Sequence, residues 1–79
     1  MDEKIKEFME FSRKFAPACA IYCCKYPGRC YFDLWVRFND FERVYTIPEE
    51  NLNKYPYSEI IGFVIKDFNV CYELWRKDL

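Results

Sequence analysis

Apolar and polar side chains alternate most regularly between residues 30 and 38. One set of alternate positions is wholly apolar: Cys30, Phe32, Leu34, Val36 and Phe38. The other set mixes aromatic and charged residues: Tyr31, Asp33, Trp35 and Arg37. Successive side chains of a strand point to opposite faces, so this period of two predicts a β-strand. The apolar face must be buried, and the surroundings of the second face decide how the protein acts.

A helical period precedes this strand. Apolar or small residues recur every three or four positions at Ile5, Phe8, Met9, Ser12, Phe15 and Ala16. The pattern predicts an amphipathic helix from Asp2 to Phe15, with acidic residues at the positive end of its dipole. Pro17 ends it, because the residue before a proline avoids helical geometry.

A second strand over Cys19–Lys25 is expected to form a hairpin with the central one. Tyr26-Pro27-Gly28-Arg29 suits a type II turn, in which proline supplies the fixed dihedral and glycine the positive one. An even-length connection of this kind aligns apolar side chains on one face. The pairs it predicts are Cys23 with Phe32, Ile21 with Leu34, and Cys19 with Val36.

A third strand follows the dipeptide Asn39-Asp40, which can form a tight turn. Pairing outward from this turn matches apolar with apolar and cation with anion. The predicted pairs are Phe38 with Phe41, Arg37 with Glu42, Leu34 with Tyr45, and Phe32 with Ile47. Arg43 then falls beside Val36 on the core side, where an edge strand would tolerate it. The alternative is a turn longer than two residues. Pro48 ends the strand and begins a short helical turn.

The C-terminal segment predicts a long helix from Glu59 to about Lys77, capped by Ser58. Its apolar sector covers roughly half the circumference, wider than the ~100° that docking on one layer needs, so we expect it to touch more than one surface. A fourth strand over Ile60–Phe68 is the alternative, because isoleucine, phenylalanine and valine favour strands.

These elements predict an α+β fold within a single small domain, residues 1–79. Its parts are an N-terminal helix, a three-stranded antiparallel meander in the order 1-2-3, and a long C-terminal helix packed on the sheet. A chain of 79 residues has room for one core. Eight Phe, seven Tyr and two Trp supply large side chains for that core and, in addition, for a partner.

Charge and cysteine content indicate which kinds of partner and which cellular compartment are expected. The net charge of −1, with both signs interspersed, argues against binding to nucleic acid or membrane by bulk electrostatics. The N-terminus lacks the pattern of a secretory signal, and no uncharged run approaches the ~20 residues of a membrane span. Five cysteines, an odd number, fit a reducing compartment. We expect a soluble cytoplasmic protein.

Side chains for catalysis or metal binding are poorly represented. Histidine, the commonest general base, is absent. Four cysteines lie near the first hairpin, but they contain no CxxC, and alternation sends Cys24 to the opposite face from Cys23, which argues against zinc. A Cys23–Cys30 disulfide is a minor alternative. No spacing joins two acids at one centre. We therefore expect no enzyme, no catalytic residue, no metal and no cofactor.

The second face of the sheet carries the candidate site. Tyrosine, tryptophan and arginine are enriched at interaction hot spots, and a contiguous exposed aromatic patch is uncommon on a monomer without a purpose. The predicted partner-binding residues are Tyr22, Tyr31, Asp33, Trp35, Arg37 and Glu42. In the alternative arrangement, a helix or the Leu52–Tyr57 loop covers this face.

In size and aromatic-rich composition, the chain resembles the small single-domain inhibitor proteins encoded by phages and other mobile elements, including anti-CRISPR proteins. The resemblance rests on those two properties and transfers no residue roles. It implies a noncatalytic protein-interaction module that binds a larger intracellular protein or complex. A self-associating structural protein, and hence a homo-oligomer, is the alternative. A single-stranded nucleic-acid binder is less favoured, because Asp33 and Glu42 share the aromatic surface.

Overall fold

The structure is a computed structural model that describes residues 2–78, and it confirms the predicted α+β architecture. Its elements are α1 (Glu3–Phe15), β1 (Ala20–Lys25), β2 (Tyr31–Phe38), β3 (Phe41–Pro48), α2 (Asn51–Lys54) and α3 (Tyr57–Lys77). The strands form one antiparallel sheet in the order β1-β2-β3. Residues 60–68 are helical, so the alternative of a fourth strand is wrong.

Helix α1 begins and ends where the local chemistry favours it. The Asp2 side chain accepts a hydrogen bond of 2.8 Å from the backbone N–H of Lys4, which caps the first turn. Ile5, Phe8 and Ser12 form the buried face. The Ser12 hydroxyl donates to the Phe8 carbonyl at 2.8 Å, so this buried polar group is satisfied within the helix.

The β1–β2 register differs from the prediction by two residues. Cys23 lies opposite Leu34, and Ile21 lies opposite Val36. The turn itself has the expected geometry, because Gly28 has φ of 79° and Arg29 N–H donates to the Tyr26 carbonyl at 3.2 Å.

The connection between these strands is longer than the tight turn it contains. The Lys25 ammonium hydrogen-bonds to the carbonyl groups of Tyr26 and Arg29 and pairs with Glu49 at 3.3 Å, which holds the wider loop. A shift of two residues keeps every side chain on its predicted face. The side chains predicted for the core are therefore on the core face in the observed register as well.

The β2–β3 hairpin has the predicted register throughout, including the Phe38–Phe41 and Arg37–Glu42 pairs. Asn39 supplies a positive φ of 55° in the two-residue turn. Arg43 does lie opposite Val36, and β3 is an edge strand, as that position requires. Its guanidinium reaches Asp67 at 3.8 Å, at the protein surface.

The three helices of residues 2–78 lie on one side of the sheet and enclose the core. Helix α1 packs over β1, α3 packs over β3 and against α1, and α2 contacts α1 and β3. The predicted contact of α3 with more than one surface is thus confirmed. The buried residues are Ile5, Phe8, Ile21, Cys23, Phe32, Leu34, Val36, Ile47, Leu52, Ile61, Val64 and Phe68, with Ser12 as the buried polar side chain.

Two further features of α3 bear on the sequence analysis. The helix begins at Tyr57 with Pro56 at the N-cap, and no side chain of residues 2–78 caps it, so the predicted capping role of Ser58 is wrong. Pro56 has an extended backbone, and the helix begins directly after it, two residues earlier than a Ser58 cap would allow. Within residues 2–78, none of the helices combines the length and the apolar character needed to cross a membrane.

Candidate functional site

The second face of the sheet is open. No helix within residues 2–78 lies over it, because α1, α2 and α3 all pack on the opposite side. Leu52, at the start of the segment that could have covered this face, is buried in the core instead. Tyr22 is 47% exposed and Val44 is 42% exposed. We call this surface the open face and define it by the outward side chains of the three strands.

An aromatic row crosses the middle of the open face. Tyr22 on β1 lies opposite Trp35 on β2, which lies opposite Val44 on β3. The rings of Tyr22 and Trp35 are 5.7 Å apart between centroids and only 5° from parallel, so they stack. Two of the three aromatic residues predicted for this face, Tyr22 and Trp35, therefore form one continuous aromatic surface.

The Trp35 indole keeps a hydrogen-bond donor unused. Its Nε1 is buried, and it has no acceptor among residues 2–78. A buried N–H without a partner costs free energy, typically about 1–3 kcal/mol. The ring is therefore held by stacking and by the strands rather than by a polar anchor.

Two oppositely charged residues lie at one end of the open face. Arg37 and Glu42 face each other across β2 and β3, and both are exposed. In the part of the chain that the structure describes, neither forms an ion pair. Both charges are therefore available to groups outside the protein.

A polar row lies on the other side of the aromatic row. Asp33 has Cys24 and Thr46 as its cross-strand neighbours, whereas the sequence analysis placed it between Tyr22 and Thr46. The difference follows from the two-residue shift of β1. The Thr46 hydroxyl donates to the Asp33 carboxylate at 2.9 Å, which fixes the orientation of that carboxylate.

Tyr26 is a member of this face that the sequence analysis missed. Its hydroxyl lies near Cys24 and Asp33, and these two neighbours, Cys24 first, raise the pKa of Tyr26 above its ordinary value. Alternation could not find it because it belongs to the turn, outside the strand period. Tyr31, which alternation did find, lies opposite Pro48 and is half-buried.

The cysteines are spread over different environments. All five are free. Burial under the helices raises the pKa of the Cys23 thiol to about 12, whereas Cys24 is on the open face and Cys30 is exposed in the loop. Within residues 2–78, no three cysteine, aspartate or glutamate side chains come together as a group that could hold a metal ion.

The structure places all six predicted site residues on the open face, although they form separate groups rather than one cluster. Tyr22 contacts Trp35, Arg37 faces Glu42, and Asp33 binds Thr46. No protein-family model, curated protein or solved structure matches this chain.

Proposed function

We propose that the chain is a noncatalytic protein-interaction module that inhibits a larger intracellular protein or complex by docking its open face onto it. The stacked pair of Tyr22 and Trp35 carries this proposal, since it presents a large aromatic surface in the middle of an uncovered sheet. Aromatic side chains of this kind supply most of the binding free energy at protein interfaces.

Preorganisation supports a role in binding. The two rings are attached to neighbouring strands and stack on each other before any partner arrives, so little side-chain entropy remains to be lost. This arrangement favours binding without a change of fold.

The charges beside the aromatic pair suit an interface rim. Arg37 and Glu42 are exposed and have no ion-pair partner in the described residues, so they can meet complementary groups on the partner. Rim charges contribute mainly to orientation and association rate, whereas the desolvated centre contributes affinity. The open face thus has the centre-and-rim arrangement typical of binding surfaces.

Inhibition is the form of interaction that the small size favours. A rigid domain of 79 residues with one aromatic face can block a surface of a larger protein, as the small inhibitors of phages and mobile elements do. A cytoplasmic setting belongs to the same proposal and is supported by five free cysteines, which suit a reducing compartment.

The test uses the double variant Tyr22→Ala and Trp35→Ala, which removes both rings of the stacked pair. The partner is first identified by affinity purification from the native cell, and the Kd of the purified pair is then measured. Each interface aromatic that acts as a hot spot contributes about 2 kcal/mol, which is about thirtyfold in Kd. We expect the double variant to lose at least that factor while its thermal unfolding remains cooperative.

A matched control is Phe15→Ala, which truncates a half-exposed aromatic side chain on the helix side of the sheet. It should bind as the wild type does. Full affinity in the double variant would contradict the proposal, as would an equal loss in the control. Light scattering over a wide concentration range distinguishes this function from self-association.

A further inference from the structure

The sheet has two edges, and α1 closes one of them. The backbone N–H of Cys23 on β1 donates to the Met9 sulfur at 3.3 Å. The Arg13 side chain donates through Nε to the Ile21 carbonyl at 2.8 Å. The outward backbone groups at the middle of β1 are thus occupied by helix side chains, which protects this edge from pairing with another chain.

The edge at β3 is free. Phe38 and Phe41 flank a two-residue turn and so form a hydrogen-bonded pair, and at the far end Glu49 N–H donates to the Cys30 carbonyl at 2.9 Å. In an antiparallel ladder, the backbone groups of alternate residues point toward the partner strand. The odd-numbered residues of β3 therefore bond to β2.

The even-numbered residues of β3 point their backbone groups away from the sheet. These are Glu42, Val44, Thr46 and Pro48, of which Pro48 has no N–H to donate. Among residues 2–78, no side chain and no backbone group outside the β2–β3 ladder hydrogen-bonds to the backbone N–H or carbonyl of Glu42, Val44 or Thr46. A short row of unpaired donors and acceptors is the requirement for adding a strand.

An apolar flank of α3 runs beside this free edge. Phe63, Val70 and Leu74 are 77%, 56% and 59% exposed and lie along one line of the helix. Asp67, between them on the helix surface, is bound by the Tyr45 hydroxyl at 2.7 Å, which turns this side of α3 toward β3. We call these three side chains the α3 flank.

A groove of about 520 Å³ lies between the two elements. Its apolar walls are Tyr45 and Ile47 on β3, Ile60, Phe63 and Val64 on α3, and Tyr55 before the helix. Side chains of an added strand that point to the helix side would enter this groove. Because strand side chains alternate, every second residue of such a strand would do so.

We propose that the free β3 edge and the α3 flank bind an extended segment of another protein as a fourth strand, with apolar residues at alternate positions. Its backbone would bond to Val44 and Thr46, and its apolar side chains would cover Phe63. The open face lies on the other side of the sheet, so this inference goes beyond the proposed function and does not depend on it.

A second copy of this chain fits the edge poorly. Neighbouring strands lie about 4.7–4.9 Å apart, whereas packed helices need about 8–10 Å between their axes. Helix α3 lies over β3, so antiparallel pairing of two β3 strands would bring the two α3 helices closer than their side chains allow. The occupant must therefore be a segment without a helix of its own on that side.

The experiment selects binders from a displayed library of linear peptides of about ten residues, the length of a long strand. We expect the wild-type protein to enrich peptides with apolar residues at every second position. On addition of a selected synthetic peptide, amide hydrogen exchange should slow at Val44 and Thr46, because their N–H groups become bonded. Exchange at Cys23, whose N–H already has an acceptor, should stay unchanged.

Matched variants separate backbone pairing from other contacts. Val44→Pro removes an outward N–H without touching the β2–β3 ladder, and Val44→Ala keeps that N–H. We expect peptide affinity to fall by about tenfold or more in Val44→Pro relative to Val44→Ala. Phe63→Asp should weaken binding by a similar factor, whereas Asn69→Asp, which adds the same charge on the exposed side of α3, should not.

Several outcomes would overturn the inference. They are the absence of enriched peptides, equal binding by Val44→Pro and Val44→Ala, exchange protection away from β3, and a dimer in light scattering that Val44→Pro abolishes. If Val44→Pro fails to fold, the Phe63→Asp comparison and the exchange data decide. The Tyr22→Ala and Trp35→Ala double variant should bind the peptide normally, so this inference and the proposed function can fail separately.

Discussion

At the residue scale, Tyr45 links β3 to α3 through one hydroxyl. It donates at 2.7 Å to the Asp67 carboxylate, which also lies 3.8 Å from the Arg43 side chain. Burial, followed by the bond to Asp67, raises the pKa of Tyr45 well above its ordinary value, although Arg43 acts in the opposite direction. The fold therefore stabilises the neutral form of the hydroxyl.

This shift predicts a loss of stability in alkali. A group whose pKa is raised by folding contributes stability below its unfolded pKa, about 10 for tyrosine, and loses that contribution as the pH rises further. Tyr45→Phe should cost about 1 kcal/mol at neutral pH through the lost hydrogen bond. Between about pH 8 and pH 11, across the ordinary tyrosine pKa, it should lose less stability than the wild type.

The measurement is urea unfolding of both proteins at each pH. Tyr55→Phe, which alters a half-exposed tyrosine, serves as the control and should follow the wild-type decline. Some decline will remain in Tyr45→Phe, because the buried Cys23 thiol also titrates toward a pKa of about 12. An alkaline decline in Tyr45→Phe as steep as in the wild type would contradict the assignment.

At the scale of single elements, the two glycines occupy positions with opposite requirements. Gly62 lies inside α3, where an added Cβ would meet the Phe15 ring at 3.9 Å, an ordinary van der Waals distance. Gly28 lies in the β1–β2 turn with φ of 79°, a conformation that side chains other than glycine rarely adopt. The same substitution should therefore act in opposite directions at the two sites.

Gly62→Ala should raise the free energy of unfolding by about 0.5–1 kcal/mol, because alanine loses less backbone entropy in a helix. Gly28→Ala should lower it by about 1 kcal/mol, since the turn must then hold a strained residue. Thermal and urea unfolding midpoints measure both changes. Destabilisation by Gly62→Ala would show that α1 and α3 approach each other too closely to admit a methyl group.

At the scale of the whole molecule, Phe8 joins three elements in one core. Its ring is fully buried and meets Phe32 of β2 and Tyr57 of α3 edge-on, with centroids 5.9 and 5.5 Å away. A domain of 79 residues has a total stability of only about 4–12 kcal/mol. Loss of a central aromatic contact should therefore remove a large part of the free energy of unfolding.

Phe8→Ala should cost about 3–5 kcal/mol, the usual range for a buried phenylalanine. Phe11→Ala, on the same helix but 38% exposed, should cost about 1 kcal/mol. The difference is measured by urea unfolding followed by far-ultraviolet circular dichroism. Similar costs for the two variants would show that the core does not depend on the α1–β2 contact.

The local pattern of apolar and polar residues was sufficient to predict the order of the elements and the register of the β2–β3 hairpin. The two-residue turn at Asn39-Asp40 leaves a single register for β2 and β3 that matches apolar and charged pairs, and the structure has that register. The burial of Phe32, Leu34 and Val36 follows from the same alternation. Both features depend on residues that are close together in the chain, so the sequence alone predicts them.

Packing over longer distances settled the remaining features. The two-residue shift of β1 keeps the same side chains in the core, so the pattern of apolar positions does not distinguish the two registers. Tyr26 reaches the open face through a turn, outside any period. Periodicity shows that each helix has an apolar side, but it does not show which face of the sheet that side will cover. Within residues 2–78, the aromatic face is open because the helices all pack on the opposite side of the sheet, and the β3 edge is free because no element pairs with it.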